Sequence, residues 1–90
     1  TRRVSTRIKQ REIIVCLVRN RVVAYDGVCL HQGGPLSKGR LAGTTLSCAW
    51  HGCPWDLETG CMIPLPHVRL KSYRTSVEDG NVYVLVDEDL

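Results

Sequence analysis

Ninety residues, 43% of them apolar and carrying a formal net charge of +3, make one small soluble domain whose core alone would hold it only marginally. The longest apolar run, residues 13–18, is far too short to span a bilayer, and no signal peptide or membrane anchor is visible. So small a net charge, with no nucleic-acid-binding motif beside it, argues against a nucleic-acid partner.

In chain order the pattern is almost entirely β. Residues 4–9 read as a first strand of mixed polarity. Gln10-Arg11 turns it into a second strand over 12–19, whose apolar residues fall on both faces, as in a strand between two layers. Asn20-Arg21 leads to a third strand over 22–26, which runs into Cys29-Leu30-His31-Gln32-Gly33-Gly34-Pro35-Leu36. Residues 41–47 form the next strand and deliver the chain to Cys48-Ala49-Trp50-His51-Gly52. A turn is expected around Glu58-Thr59, which sets Asp56 opposite Cys61 and Cys53 opposite Pro64. Pro64-Leu65-Pro66 cannot pair as a central strand and is expected as an irregular loop; His67 beyond it is an ordinary loop or strand histidine. Asp79-Gly80 is the strongest hairpin signal. Pairing outward from it sets Val77 against Val82, Thr75 against Val84 and Tyr73 against Val86, all on one face. No helix, repeat or low-complexity stretch stands out. The fold expected is all-β: antiparallel sheets stacked as a sandwich or incomplete barrel, one domain over 1–90, with a small subdomain of roughly residues 27–65 inserted between strands.

That subdomain holds the chemistry. Cys29 and His31 form a C-x-H pair, Cys48 and His51 a C-x-x-H pair, and sixteen residues lie between His31 and Cys48. Each pair offers one thiolate and one imidazole from a glycine-bearing loop. The set suits a two-iron cluster in which two cysteines hold one iron and two histidines the other. Two Cys and two His also make a common structural zinc site, but zinc knuckles usually pair like ligands, at C-x2-4-C and H-x3-5-H spacing. Here each pair is mixed. A Cys48/His51 nucleophile is weaker still, because a matched second pair would be redundant and no orienting third residue stands out.

The pattern resembles the Rieske family, and the resemblance extends beyond the four ligands. His51-Gly52 followed by Asp56-Leu57-Glu58-Thr59-Gly60 is similar to the H-G-x-x-F-D-L-x-T-G run of Rieske ferredoxins, with Trp55 in the aromatic slot. Leu30 stands where Pro or Thr is more usual. The resemblance implies a [2Fe–2S] cluster on Cys29, His31, Cys48 and His51, with a loop containing Pro64 and Pro66 covering it. It also implies a monomeric one-electron carrier, taking electrons from a flavin-dependent reductase and passing them to an oxygenase or similar acceptor. An electron-entry domain or small subunit of a larger oxidoreductase, such as a ring-hydroxylating oxygenase or nitrite reductase, is the alternative. The chain starts at Thr1, which leaves room for either.

Five cysteines leave Cys16, Cys53 and Cys61 beyond the two ligands. Cys16, in an apolar run, is expected as a small buried hydrophobe. Free thiols fit a reducing compartment, the cytoplasm. Quinol-oxidising relatives carry a disulfide between their two loops; the matching positions here are Gly34 and Trp50, so the loops must be held by the cluster and by packing, with Trp50, Trp55 and Leu36 as candidates. Those relatives also place a Ser and a Tyr hydroxyl where this chain has Cys53 and Trp55, so a potential at the low end of the Rieske range is expected. Seven of the twelve basic residues fall before Val22. They form either a solvated strand face or, with Lys38 and Arg40, an electrostatic docking surface.

Overall fold

The computed structural model describes residues 2–29, 34–50 and 52–86. His31 and His51, with Leu30, Gln32, Gly33 and the acidic tail, lie outside the described residues. Eight strands carry the fold: β1 (Arg2–Ile8), β2 (Arg11–Val18), β3 (Arg21–Asp26), β4 (Arg40–Ala42), β5 (Thr45–Ser47), β6 (Pro54–Asp56), β7 (Ser72–Glu78) and β8 (Asn81–Leu85). The only helical element among the described residues is a single 3-10 turn, Leu36–Lys38.

Two antiparallel sheets result, a five-stranded one in the order β1-β2-β3-β7-β8 and a three-stranded one in the order β4-β5-β6. The larger sheet is built from two-residue hairpins. Lys9-Gln10, Arg19-Asn20 and Asp79-Gly80 all have positive φ at both positions, the geometry whose twist matches that of the flanking strands. The first two turns therefore sit one residue earlier than the side-chain signals suggested. The last hairpin has the expected register, Val77 with Val82 and Thr75 with Val84; its ladder ends at Arg74 with Leu85, one rung short of Tyr73. Tyr73 pairs instead with Ala24 of β3, which joins the hairpin to the rest of the sheet.

β2 has a buried residue on each face. Ile13 packs with Ala24 and Tyr73 on one side, where Ile8 of β1 and Val84 of β8 also close in. Those two strands are the opposite edges of the sheet, so it must curl to bring them together. Ile14, Cys16 and Val18 point the other way, into a second core shared with Leu46 and Trp55 of the smaller sheet and Leu57 just after it. Each such fully buried side chain contributes about 1.5–3 kcal/mol, so β2 is the wall common to both cores.

Residues 41–47, expected as one strand, are instead a tight hairpin. Gly43, with φ +61°, turns β4 into β5, pairing Leu41 with Leu46. The Pro64-Leu65-Pro66 stretch is irregular, as its prolines require. Four of the N-terminal arginines act inside the molecule rather than as a free charged face. Arg3 donates to the carbonyls of Leu36 and Gly39, at 3.1 and 2.8 Å, and Arg11 to the Tyr73 hydroxyl at 3.2 Å. Arg21 donates to the Glu58 carbonyl at 3.0 Å, and Arg19 pairs with the Glu58 carboxylate.

Cys16 is a buried apolar group, as expected, and burial pushes its thiol up to about 11 from 9.0. A neutral thiol preferred by the folded state stabilises it fully below pH 9, and that stability is lost as pH rises through 11. Unfolding titrations should show a decline on the order of 2 kcal/mol across this window that shrinks in Cys16→Ala. An equally steep decline in the variant would assign the loss to other groups.

Candidate metal centre

Both cysteine loops are shut in the same way. The Cys29 amide donates to the Gly34 carbonyl at 2.9 Å, and the Cys48 amide donates to the Cys53 carbonyl at 2.8 Å. In each case the partner is the residue five positions on. Behind the first loop, Val28 bridges Pro35, and the Leu36 amide donates to the Gly27 carbonyl at 2.8 Å. Within the second, the Gly52 amide turns back to the Cys48 carbonyl at 2.9 Å, with Gly52 in the left-handed region at φ +68°. Two hairpin-like fingers are thus held at their bases, with His31 and His51 in the segments that lie outside the described residues.

The fingers meet through Gly34 of the first and Cys48 of the second. Cys29 is 1% exposed and Cys48 3%, in one core with Leu36, Trp55 and Leu46. Gly34 of the first finger lies directly against Cys48 of the second. A Cβ built on it would stand 2.7 Å from Cys48 Sγ and 3.0 Å from the Trp50 ring. Glycine is required there by contact rather than by dihedral angle. Trp50 is therefore a cap and not a core residue: its ring covers Gly34 while 61% of it stays exposed. Leu36 and Trp55, the other two packing candidates, are fully buried.

A third thiol joins them, which the sequence alone did not place here. Cys53 is 9% exposed and belongs to the buried core that holds Cys29 and Cys48. Burial first, then the neighbouring Cys29, then Cys48 push its thiol up to about 11. Only the C-x4-C spacing of Cys48 and Cys53 across Gly52 could have hinted at it. None of the five cysteines is in a disulfide.

Asp56-Leu57-Glu58-Thr59-Gly60 ties this site to the large sheet. The Asp56 carboxylate accepts from the Glu58 amide at 2.9 Å, and Thr59 Oγ1 accepts from the Cys61 amide at 3.2 Å. Gly60 takes φ +81°, and the Tyr25 ring lies where its Cβ would be. The Tyr25 hydroxyl then donates to the Leu57 carbonyl at 2.8 Å. Asp56 faces Cys61 through a 2.9 Å bond, Trp55 bridges Met62, and the Ile63 amide donates to Pro54, so the expected register holds for three rungs.

Two buried thiols on glycine-relieved fingers are half of the four-ligand donor set that an iron–sulfur centre needs. The fully buried indole N–H of Trp55 has no hydrogen-bond partner among the described residues, and it is a donor that a sulfur could accept from. The Rieske [2Fe-2S] domain profile matches residues 1–74. The chain belongs to the Rieske [2Fe–2S] domain family. This Rieske domain is 37% identical over 68 residues to a 3-phenylpropionate/cinnamic acid dioxygenase ferredoxin subunit of Photorhabdus laumondii, covering 73% of this chain and 65% of that subunit. It thus spans just under two thirds of that relative. It is 32% identical over 84 residues to ferredoxin CarAc of Metapseudomonas resinovorans, covering 92% of this chain and 78% of that protein. Its fold superposes on the terminal oxygenase of carbazole 1,9a-dioxygenase from Novosphingobium sp. KA1 with a TM-score of 0.85. That match has 24% identity and covers 97% of this chain and 26% of that one. The all-β, curled antiparallel architecture expected from sequence is the Rieske one, and the family's cofactor is a [2Fe–2S] cluster.

Gly34→Ala tests the fit of the two fingers. The added methyl must displace Cys48 Sγ or the Trp50 ring. The variant should keep its β circular dichroism while losing most of its bound iron and visible absorbance. An unchanged iron-to-protein ratio would show that the fingers have slack.

Proposed function

We propose that this Rieske domain is a one-electron carrier whose [2Fe–2S] cluster is held by Cys29 and Cys48 on one iron and by His31 and His51 on the other. The observation that carries the reading is two identically closed fingers, each rooted at a buried cysteine, with Gly34 of one against Cys48 of the other. When bound, the cluster supplies reversible one-electron chemistry at a potential above that of all-cysteine clusters. The chain's own residues do the rest. The paired amide-to-carbonyl bonds fix the finger bases, and Gly34 admits Cys48. Trp55 and Leu36 exclude water beneath the thiols, and Cys53 packs in the same buried core. Relatives named as ferredoxin components support a domain that moves an electron and transforms no substrate.

The names of its relatives support a place in an oxygenase system, with an oxygenase as acceptor; the donor proposed beside it is a flavin-dependent reductase. A cytoplasmic, monomeric protein with residues 27–65 as its cluster-binding subdomain fits that role. Among the described residues no helix is long and apolar enough to cross a membrane. A second reading has its own support: the fold match covers only about a quarter of an oxygenase chain, as an electron-entry domain of a larger enzyme would. The zinc reading falls with family membership.

The carrier reading has a sharp electrochemical test. Cys53 and Trp55 replace two hydroxyl donors, and a thiol is a weak donor, so the reduced state gains less stabilisation. The loaded chain should take up one electron at roughly −150 mV rather than about +300 mV. The midpoint should be nearly flat across neutral pH. A midpoint well above zero, or one already falling steeply at pH 7, would show that the missing hydroxyls are not what sets the potential.

A further inference from the structure

Among the described residues, the Trp55 indole N–H is the one buried side-chain polar atom without a hydrogen-bond partner, and the side chain that carries it is fully buried. A donor taken out of water with no acceptor costs the fold its hydration and returns nothing, so such an orphan calls for an explanation. Shape alone does not supply one, because a phenyl ring fills a core without bringing a polar atom into it.

The strand register says what stands beside the indole. Leu46 pairs with Trp55 and Ser47 with Pro54, and the bond from the Cys48 amide to the Cys53 carbonyl extends the same ladder by one rung. Alternation along β5 and β6 then puts Leu46, Cys48, Cys53 and Trp55 on one face. Burial agrees: these four belong to one core, whereas Ser47 and Pro54 between them are half-buried. Trp55 is therefore the diagonal cross-strand neighbour of Cys48, a separation that an aromatic side chain spans. Cys29 of the first finger closes the same core.

We infer that Trp55 Nε1–H donates a hydrogen bond to a sulfur of the loaded centre, and that this bond raises the cluster's potential. This rests on Cys29 and Cys48 being cluster ligands. A protonated thiol is a weak acceptor, whereas a metal-bound thiolate or a sulfide carries negative charge and accepts strongly. Uptake of an electron adds negative charge to those sulfurs. A donor fixed in a water-free core then favours the reduced state over the oxidised one. Removing the N–H moves the midpoint further below the value expected for the intact chain.

The test deletes the N–H and keeps the ring's shape. Benzothienylalanine, with sulfur in place of the indole nitrogen, is incorporated at position 55 of the full chain, and the loaded protein is titrated with redox mediators after its iron and sulfide are counted. The ratio of reduced to oxidised cluster at a fixed potential should fall about tenfold, a midpoint about 59 mV lower. Trp55→Phe should lower it in the same direction. A second readout leaves position 55 untouched: with 15N in the indole rings, pulsed EPR of the reduced chain should show a weak 15N coupling that survives Trp50→Phe. An unmoved midpoint in the isosteric chain, at an unchanged iron count, would overturn the inference and leave the cluster reading standing. A coupling that vanishes with Trp50→Phe would do the same, by assigning the nearby nitrogen to the exposed cap. An unsubstituted chain that binds no iron would overturn the cluster reading, and this inference with it.

Discussion

The hydrogen bond from each cysteine amide to the carbonyl five residues later is the constraint on which the site depends. It appears twice, from Cys29 to Gly34 and from Cys48 to Cys53, and makes two finger bases of equal geometry from unrelated sequences. A cluster bridging two loops asks that both present a sulfur at matched depth, and equal closures meet that demand. Once the bases are fixed, one contact sets their separation: Gly34 against Cys48. No disulfide helps, so packing beneath the thiols has to hold what a covalent bridge holds in quinol-oxidising relatives.

That packing is borrowed from the large sheet. β2 presents Ile14, Cys16 and Val18 to the small sheet and Ile13 to the interior of the curl, so one strand supports both cores. Tyr25, two strands' width from the edge, reaches the Leu57 carbonyl and seats Gly60 on its ring. Arg3 does the same for the first finger through Leu36 and Gly39. The base is therefore more than a pedestal. It holds both finger roots, and Arg3, one of the basic residues that looked like a docking face in the sequence, is one of the side chains that do it.

Much of this was legible in the residues. Mixed C-x-H and C-x-x-H pairs name a chemistry because few metal centres want one thiolate and one imidazole per loop. Asp79-Gly80 gave a correct register because its left-handed φ values leave little choice. The turns at Lys9-Gln10 and Arg19-Asn20 were read one residue late, since neither pair contains the glycine that normally announces such a turn. The β4–β5 hairpin was missed because Gly43 sits in a run that otherwise alternates acceptably as one strand. Trp50 looked like packing and is a cap, and Cys53 looked like a turn flank and is a third buried thiol. Both outcomes depend on contacts between segments distant in sequence, which no local pattern encodes. The two histidines remain proposals because they fall outside the described residues.

The central claim is mixed ligation of one cluster, and nitrogen hyperfine spectroscopy addresses it without any mutation. Pulsed EPR of the dithionite-reduced chain, grown with 15N-histidine in an otherwise 14N background, should show strong 15N couplings from two inequivalent imidazoles. No resolved histidine coupling, with a spectrum of all-thiolate type, would contradict the account.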